Sequence, residues 1–412
     1  MIFSELADIS PKVKLSSGVE YPFVEMEDVE PGNRYVKAVK SRIFKGGGSK
    51  FGANDILFAR ITPCLENGKI AQFKGNDGTV GFGSTEFFIF RAKEGICDKG
   101  FLFYLAYSDI LRKPAEGSMF GASGRQRAVL DVVKSTVVPD IPLNNQKKIS
   151  AVLSAYDDLI ENNTRRIQLL EEMAQRIYRE WFVDYRFPKH GKVKFYNSEI
   201  GKIPEGWEVK RLSEIVETQY GYTESTSDKE IGPKFLRGMD INKNSYIDWH
   251  EVPYCKIPNE DYARYCLSRG DIVIIRMADP GKVGIVERDD IKAVFASYLI
   301  RLKIKTDISP YYLFYFLLSD RYQGYILGAC TGTTRKSASA GVITDIDIQI
   351  PEKRVLDDFI HIIARNRALL NNLIQKNEKL RKSRNILLPK LISGELDVSE
   401  LDIEIREQAN DA

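Results

Sequence analysis

The chain has only three histidines, His190, His250 and His361, scattered through 412 residues. A mechanism built on a histidine base or a His-rich metal centre has little to draw on. The five cysteines, Cys64, Cys97, Cys255, Cys266 and Cys330, are odd in number and include no C-x-x-C pair. They fit neither a disulfide framework nor a zinc site and read as reduced core thiols. None of the sixteen prolines follows another, so the Asp/Asn-Pro-Pro-Tyr/Phe loop of amino-methylating DNA methyltransferases is absent. The Gly-Lys pairs at Gly68, Gly191, Gly201 and Gly281 are never followed by Ser or Thr, which excludes a phosphate-cradling P-loop. The longest apolar runs, Tyr311 to Leu318 and Phe101 to Tyr107, fall far short of the roughly 20 residues that cross a bilayer. The start lacks the basic and apolar stretches of a secretory leader, so a cytoplasmic chain without membrane contact is expected. Net charge is also small, +3 from 60 Lys and Arg against 57 Asp and Glu, and only its local distribution can point to a partner.

What is present is a large folding capacity and a repeat. A hydrophobic content of 43% with 11% aromatics supports packed cores, and the length exceeds what one core usually organises. Ile141-Pro142 leads into a helical pattern that reaches Asn162-Asn163, and Ile350-Pro351 reaches Asn371-Asn372 at a constant offset of 209. Upstream, Asp55-Ile56-Leu57-Phe58-Ala59-Arg60 is similar to Asp271-Ile272-Val273-Ile274-Ile275-Arg276. Phe23 to Val29 is likewise similar to Phe235 to Ile241, at offsets of 216 and 212. A duplicated sequence implies a duplicated structure, here a globular unit followed by a long helix.

The helices carry the strongest periodicity. Neither Gly nor Pro occurs from Leu143 to Phe187 or from Glu352 to Leu388. In the first stretch Ile160, Ile167, Ala174 and Trp181 recur every seven residues, as do Leu170 and Ile177; in the second, Leu373, Leu380 and Leu387 do so. Asn377 and Arg384 interrupt the other seam of the second helix, a device that weakens pairing and fixes register. Pro389 is placed to kink or end that helix. A first helix of about 40 residues spans about 60 Å. If the second packs along it, the pair is antiparallel, with a globular unit at each end and a pseudo-twofold between them. Trp181 and Tyr185, at helical spacing, read as packing residues. Within the units, Asp55 to Arg60, Glu86 to Arg91 and Gly270 to Arg276 read as strands, Gly100 to Lys113 and Tyr311 to Gly324 as short helices, and Gly81-Phe82-Gly83 as a turn.

Positive charge is clustered at matching places. Arg34, Lys37, Lys40, Arg42, Lys45 and Lys50 occur with no acid among them, interleaved with Tyr35, Phe44 and three glycines, a composition suited to phosphates. Gly124-Arg125-Gln126-Arg127 offers guanidinium forks and an amide, the groups that read guanine and adenine edges. Thr331-Gly332-Thr333-Thr334-Arg335-Lys336-Ser337 occupies the corresponding place before the second helix. Arg60 and Arg276 align, and the turn after Arg60 carries Asn67 and Lys69. A strand end with Arg60 paired to a carboxylate and a DNA-facing loop are both open readings there. The candidate DNA-contacting set is therefore Arg42, Lys45, Lys50, Arg60, Asn67, Lys69, Arg125, Gln126, Arg127, Arg237, Lys243, Arg276, Lys282, Thr333, Arg335 and Lys336. The segment Glu395 to Asp411, with seven acids against Arg406, reads as a solvated end.

Several of these stretches resemble the specificity (S) subunit of type I restriction-modification systems. Arg60-Ile61-Thr62-Pro63-Cys64 and Gly83-Ser84-Thr85-Glu86-Phe87 resemble its target-recognition domains, and Ile203-Pro204-Glu205-Gly206-Trp207 resembles the opening of the second. Trp181-Phe182-Val183-Asp184-Tyr185 and Leu387 to Glu395 resemble the ends of its helical repeats. The first unit departs from the pattern in lacking an Ile-Pro-x-Gly-Trp opening. The resemblance implies an α+β fold class, with two target-recognition domains joined and separated by an antiparallel coiled coil. The expected organisation is domain 1 at 1–141, helical repeat 1 at 142–190, domain 2 at 191–350, helical repeat 2 at 351–394 and an acidic tail at 395–412. It further implies a non-catalytic chain that reads a bipartite double-stranded DNA target. Two methyltransferase subunits would supply S-adenosylmethionine binding, and restriction subunits would supply ATP- and Mg-dependent chemistry. A stand-alone nuclease or methyltransferase, and a coiled-coil scaffold without DNA function, are the alternatives.

Overall fold

The computed structural model describes residues 1–122, 124–241, 244–330 and 336–404. The chain divides into two compact units, Met1–Asn163 with Lys376–Ala412, and Thr164–Gln375. Each long helix is thus shared out between the units.

The first unit opens with α1 (Phe3–Leu6), where the backbone N–H of Ile2 donates to Glu5 Oε2 at 2.7 Å and so satisfies one orphan amide of the helix start. There follow β1 (Ala7–Ile9), β2 (Glu20–Val24), β3 (Tyr35–Val36), β4 (Lys40–Ile43), β5 (Ser49–Gly52), β6 (Ile56–Ala59), β7 (Ile70–Phe73), β8 (Val80–Gly83) and β9 (Phe87–Ala92). One sheet has the order β1-β9-β6-β7-β3 and a second the order β4-β2-β8-β5. The segment Gly81-Phe82-Gly83 lies in strand β8, not in a turn. A Cβ at Gly83 would sit 2.4 Å from the Val24 carbonyl oxygen, so glycine is what lets β2 and β8 approach. Helices α2 (Lys99–Tyr107), α3 (Asp109–Gly117) and α4 (Leu130–Ser135) join the core of the first sheet through Phe101, Leu105, Leu111 and Val133.

The long helix α5 (Leu143–Phe182) is followed by the elements of the second unit. These are β10 (Phe195–Ser198), β11 (Gly201–Pro204), β12 (Glu208–Arg211), α6 (Leu212–Ile215), β13 (Val216–Tyr220), β14 (Lys234–Leu236), α7 (Asn259–Tyr265), β15 (Ile272–Ile275) and β16 (Val283–Ile285). Next come β17 (Ala293–Phe295), β18 (Leu299–Ile304), α8 (Pro310–Leu318), α9 (Asp320–Ala329), α10 (Ala340–Thr344), β19 (Asp347–Ile350) and the long α11 (Lys353–Ser393). The sheet order β13-β18-β15-β16 repeats β1-β9-β6-β7 strand for strand, and the parallel pair β14 and β17 repeats β2 and β8. Even the entry is repeated: the Arg211 backbone N–H donates to Glu214 Oε1 at 3.0 Å, 209 residues beyond its counterpart at Ile2 and Glu5. Each short helix expected from the sequence is two helices, α2 and α3 or α8 and α9, separated by an extended serine, Ser108 or Ser319. The Ser319 hydroxyl accepts from the Tyr322 N–H, the capping that serine offers more readily than helix propagation.

Both units end on paired helical segments. In the first, Asn163 of α5 meets Asn377 of α11 while Asp157 meets Arg384, so rising numbers on one helix face falling numbers on the other. In the second, Ile167 packs on Leu370, Leu373 and Ile374, and Trp181 and Phe182 pack on Phe359. The segments are antiparallel in each unit. On α5 the seven-residue series Ile160, Ile167, Ala174 and Trp181 is buried, and Leu170 and Ile177 are half-buried. On α11 the fully buried series is Leu356, Ile363, Leu370, Asn377, Arg384 and Leu391, while Leu373 is buried and Leu380 and Leu387 are half-buried. Each fully buried Leu or Ile side chain contributes about 1.5–3 kcal/mol to this packing. Helix α11 runs through Pro389 and stops at Gly394, whose φ of 79° is the left-handed conformation of a C-terminal cap. Beyond it, Val398 is buried in the first unit's core and the Lys148 ammonium donates to the Ser399 carbonyl at 2.7 Å. The start of the acidic segment is therefore docked rather than solvated; residues 405–412 lie outside the described residues.

Candidate nucleic-acid interface

The clearest constellation of the first unit forms where β6 ends. Arg60 follows β6, Glu86 precedes β9, and Arg127 lies on a short antiparallel bridge to Ile61. The Arg60 N–H donates to the Glu86 carbonyl at 3.0 Å and the Ala128 N–H to the Arg60 carbonyl at 2.7 Å, which brings three distant segments together. Arg127 Nε donates to both Glu86 carboxylate oxygens at 3.1 and 3.0 Å, and its Nη2 to Oε1 at 2.6 Å. Arg60 Nε forms an ion pair with Glu86 Oε2 at 3.4 Å, and its guanidinium lies over the Phe88 ring. The hydrogen bonds from Arg127, reinforced by both positive charges, hold the Glu86 carboxyl below the usual glutamate range.

Around this cluster the other candidates differ widely in freedom. Arg125 is exposed with no side-chain partner among the described residues, in a turn bounded by the Phe120–Arg127 bridge. Phe120 itself is 68% exposed. The Gln126 N–H donates to Thr62 Oγ1 at 3.0 Å, tying the turn to the segment after Arg60. Asn67 is exposed, whereas the Lys69 ammonium is occupied by the Met26 carbonyl at 2.8 Å. Arg42 bonds to Glu25 and stacks on Phe23, Lys50 lies 5.0 Å from the Phe44 ring centre, and Lys45 is exposed. The basic run is not uniformly a surface: Arg34 is 2% exposed, with Nε donating to Gln72 Oε1 at 3.0 Å. Lys37 pairs with Glu161 and Lys40 with Glu25, so acids distant in sequence neutralise part of the stretch.

In the second unit Arg276 occupies the place of Arg60. Its N–H donates to the Tyr298 carbonyl at 2.9 Å, the Ala338 N–H donates to its carbonyl at 2.9 Å, and Met277 bridges Ser337. No carboxylate meets this guanidinium among the described residues. It lies 4.9 Å from the centre of the Tyr220 ring, with Nε buried and without a hydrogen-bond partner. Tyr220 and Tyr298 are 45% and 54% exposed. Lys282 and Lys336 are exposed, while Arg237 is committed to Asp240 through Nε at 3.1 Å and Nη2 at 2.8 Å. Lys243, Thr333 and Arg335 lie outside the described residues. Of the five cysteines expected in the core, Cys97 and Cys255 are buried while Cys64, Cys266 and Cys330 are half-buried; burial pushes Cys97 up to about 12 and Cys255 up to about 11, far from reactive thiolates.

Polar residues also bind the helical segments to their units. Arg384 donates to Asp157 and, at 2.9 Å, to the Gly32 carbonyl; the Tyr104 hydroxyl donates to the other Asp157 oxygen. Asn163 Nδ2 donates to Asn377 Oδ1 at 2.9 Å. In the second unit, buried Arg367 bonds to Glu287 and, through Nη1 at 3.0 Å, to Ser245 Oγ. The sequence marked Asn377 and Arg384 by their interruption of an apolar seam but gave no sign of their partners, nor of Arg367. Glu86, Tyr220 and Tyr298 escaped as site residues, because only tertiary structure sets them beside Arg60, Arg127 and Arg276.

A repeated α+β unit, carrying an arginine at the same backbone position in each copy and closing on antiparallel helical segments, defines a duplicated recognition chain. The chain belongs to the family described as type I restriction modification DNA specificity domain, which matches residues 5–172 and 204–379. It is a specificity subunit, a recognition component rather than the enzyme of such a system. It is 28% identical over 326 residues to the MjaIX type I restriction enzyme specificity subunit of Methanocaldococcus jannaschii, covering 75% of this chain and 71% of that one. The MjaVIII specificity subunit of the same organism is 26% identical over 409 residues, covering 95% and 90%. Among solved structures, the type I restriction-modification S subunit from M. genitalium aligns over 95% of both chains with a TM-score of 0.52 at 15% identity, a likeness of fold.

Proposed function

We propose that each unit of this specificity subunit reads one half of a split sequence in double-stranded DNA, and that the helical segments set the unread gap between the halves. The observation that carries this reading is the doubled specificity domain, with the same strand order and the same arginine-bearing backbone frame in both copies. Exposed cations such as Arg125, Lys45, Lys282 and Lys336 supply phosphate attraction and base contacts. The catalysts belong to partners. Two methyltransferase subunits bind S-adenosylmethionine and flip the target adenine from the duplex, with this chain placing them over it. Restriction subunits bring the ATP- and Mg-dependent steps, and the assembly works in the cytoplasm.

Mapping methylated adenines across a genome, with the chain present and absent, tests the proposal. The expected result is a two-part motif with a fixed gap that appears only with the chain and its methyltransferase partners. Methylation or cleavage by the purified chain alone, given S-adenosylmethionine or Mg²⁺, would overturn it in favour of a stand-alone enzyme. Duplex binding that does not respond to salt would remove the electrostatic part of the argument.

A further inference from the structure

The two units hold one backbone frame and fill it with different side chains. In both, the arginine N–H donates to the carbonyl of the residue just before a central strand, Glu86 or Tyr298, and the arginine carbonyl accepts from an alanine N–H, Ala128 or Ala338. In both, the next residue bridges the one before that alanine, Ile61 with Arg127 and Met277 with Ser337. The frame thus carries Arg60, Glu86 and Arg127 in the first unit and Arg276, Tyr298 and Ser337 in the second. A constant frame with exchanged side chains is where two half-sites of different sequence would be distinguished.

We propose that Glu86 is a positioning residue that holds Arg127 for reading a guanine in the half-site of the first unit; this rests on the function proposed above. A guanidinium has two edges able to grip a pair of acceptors, one formed by Nε and one Nη, the other by both Nη groups. Glu86 occupies the first edge of Arg127 through Nε and Nη2. Nη1 has no hydrogen-bond partner among the described residues, and the side chain is 42% exposed. The end edge is therefore presented in a fixed direction, and it matches the O6 and N7 acceptors of guanine in the major groove. Glu86 offsets one of the two positive charges that Arg60 and Arg127 bring to the cluster, whereas no carboxylate meets Arg276 among the described residues, so attraction for phosphate is reduced per arginine in the first unit while the direction of the fork is kept. Bracing by Glu86 costs little at the moment of binding because the fork is ordered beforehand.

The test uses the full chain co-expressed with its methyltransferase partners and compares methylated fractions at genomic sites that have, or lack, guanine at each motif position. Glu86→Gln and Arg127→Lys should relax the same single guanine in one half, lowering its preference by about 5- to 150-fold, with the other half unchanged. Arg127→Lys keeps the surface charge and loses only the fork, so it carries the test if Glu86→Gln fails to fold. An unchanged motif, an equal loss at all sites, or a change in the other half overturns the assignment. A wild-type chain that directs no two-part motif would instead overturn the proposed function on which it stands.

Discussion

The Arg384 guanidinium donates to the Asp157 carboxylate where both side chains are almost wholly removed from water, at 2% and 3% exposure. Two charges taken out of water lose several kcal/mol of hydration, and the loss is offset only when the remaining donors and acceptors are satisfied. They are largely satisfied here: Arg384 also reaches the Gly32 carbonyl and the Asn385 side chain, and Asp157 accepts from Tyr104. The pair fixes one helical segment against the other and both against the first unit's loop at Gly32. Asn163 and Asn377 add a second polar contact nearby at 2.9 Å. An apolar seam tolerates sliding by one heptad; paired polar residues do not, because each misplaced register buries a charge or an amide without its partner.

Removing one partner of that pair should be severe. Arg384→Ala or Asp157→Ala is expected to destabilise the first unit by about 3–5 kcal/mol, since each leaves a buried charge unpaired. The double variant Arg384→Met with Asp157→Leu should lose far less than the sum. Chemical denaturation of the four chains forms the cycle, and additive losses would mean that the two residues do not act through each other.

The Glu86 cluster makes stability depend on acidity in a stated direction. Because Arg127 and Arg60 lower the folded carboxyl below its unfolded value, the contribution is fully present above the usual glutamate range and is lost as pH falls through the folded value. With the side chain partly open to solvent, it amounts to about 1 kcal/mol or less. Glu86→Gln should therefore be less stable than wild type near neutrality, and the gap should narrow as pH falls below the ordinary glutamate value of about 4.3 and close below the lower folded value. A gap that stays constant down to pH 3 would show that the ion pairs contribute nothing.

Arginine substitutions separate base reading from phosphate contact. Arg125→Ala, and Arg335→Ala in the corresponding segment of the repeat, should weaken specific binding by about 1–3 kcal/mol if the side chain meets a base edge. Loss of the same size on specific and random duplexes, with a shallower salt dependence, would reassign the residue to the backbone. Lys45→Ala is expected to give that second pattern, measured by titration at several salt concentrations.

Much of the architecture was legible because it rests on periodicity. The offset of 209 between Asn162 and Asn371 is also the offset between the first helices of the two units, and the heptad of Ile160 is buried, whereas that of Leu373 is half-buried at Leu380 and Leu387 because the buried series of α11 runs through Leu370, Asn377 and Arg384. Less was legible where long-range packing overrides local composition. Arg34 stands in a run without acids, yet Gln72 and Tyr104 enclose it from other elements. Gly81 and Gly83 look like turn residues, yet their missing side chains serve a tight strand pairing. Arg60 left two readings open, and the ion pair with Glu86, 26 positions away, is a fact of topology that no local window contains.

Spacing should follow helix length. Seven residues inserted in α5 just before Ile167, with seven in α11 just before Asn377, keep both apolar stripes in phase and add about 10 Å of helix at 1.5 Å per residue. With base pairs stacked about 3.4 Å apart, the unread gap should grow by about three base pairs while both half-site sequences stay as they were. Two residues inserted in α5 alone would turn Ile167 and Ala174 by about 200°, off the buried face, and should destabilise the pairing instead. Sequencing of methylated sites reads the outcome directly. If the heptad variant methylates the original spacing, or a range of spacings, the helices do not set the gap, and each unit must find its half-site independently of the length between them.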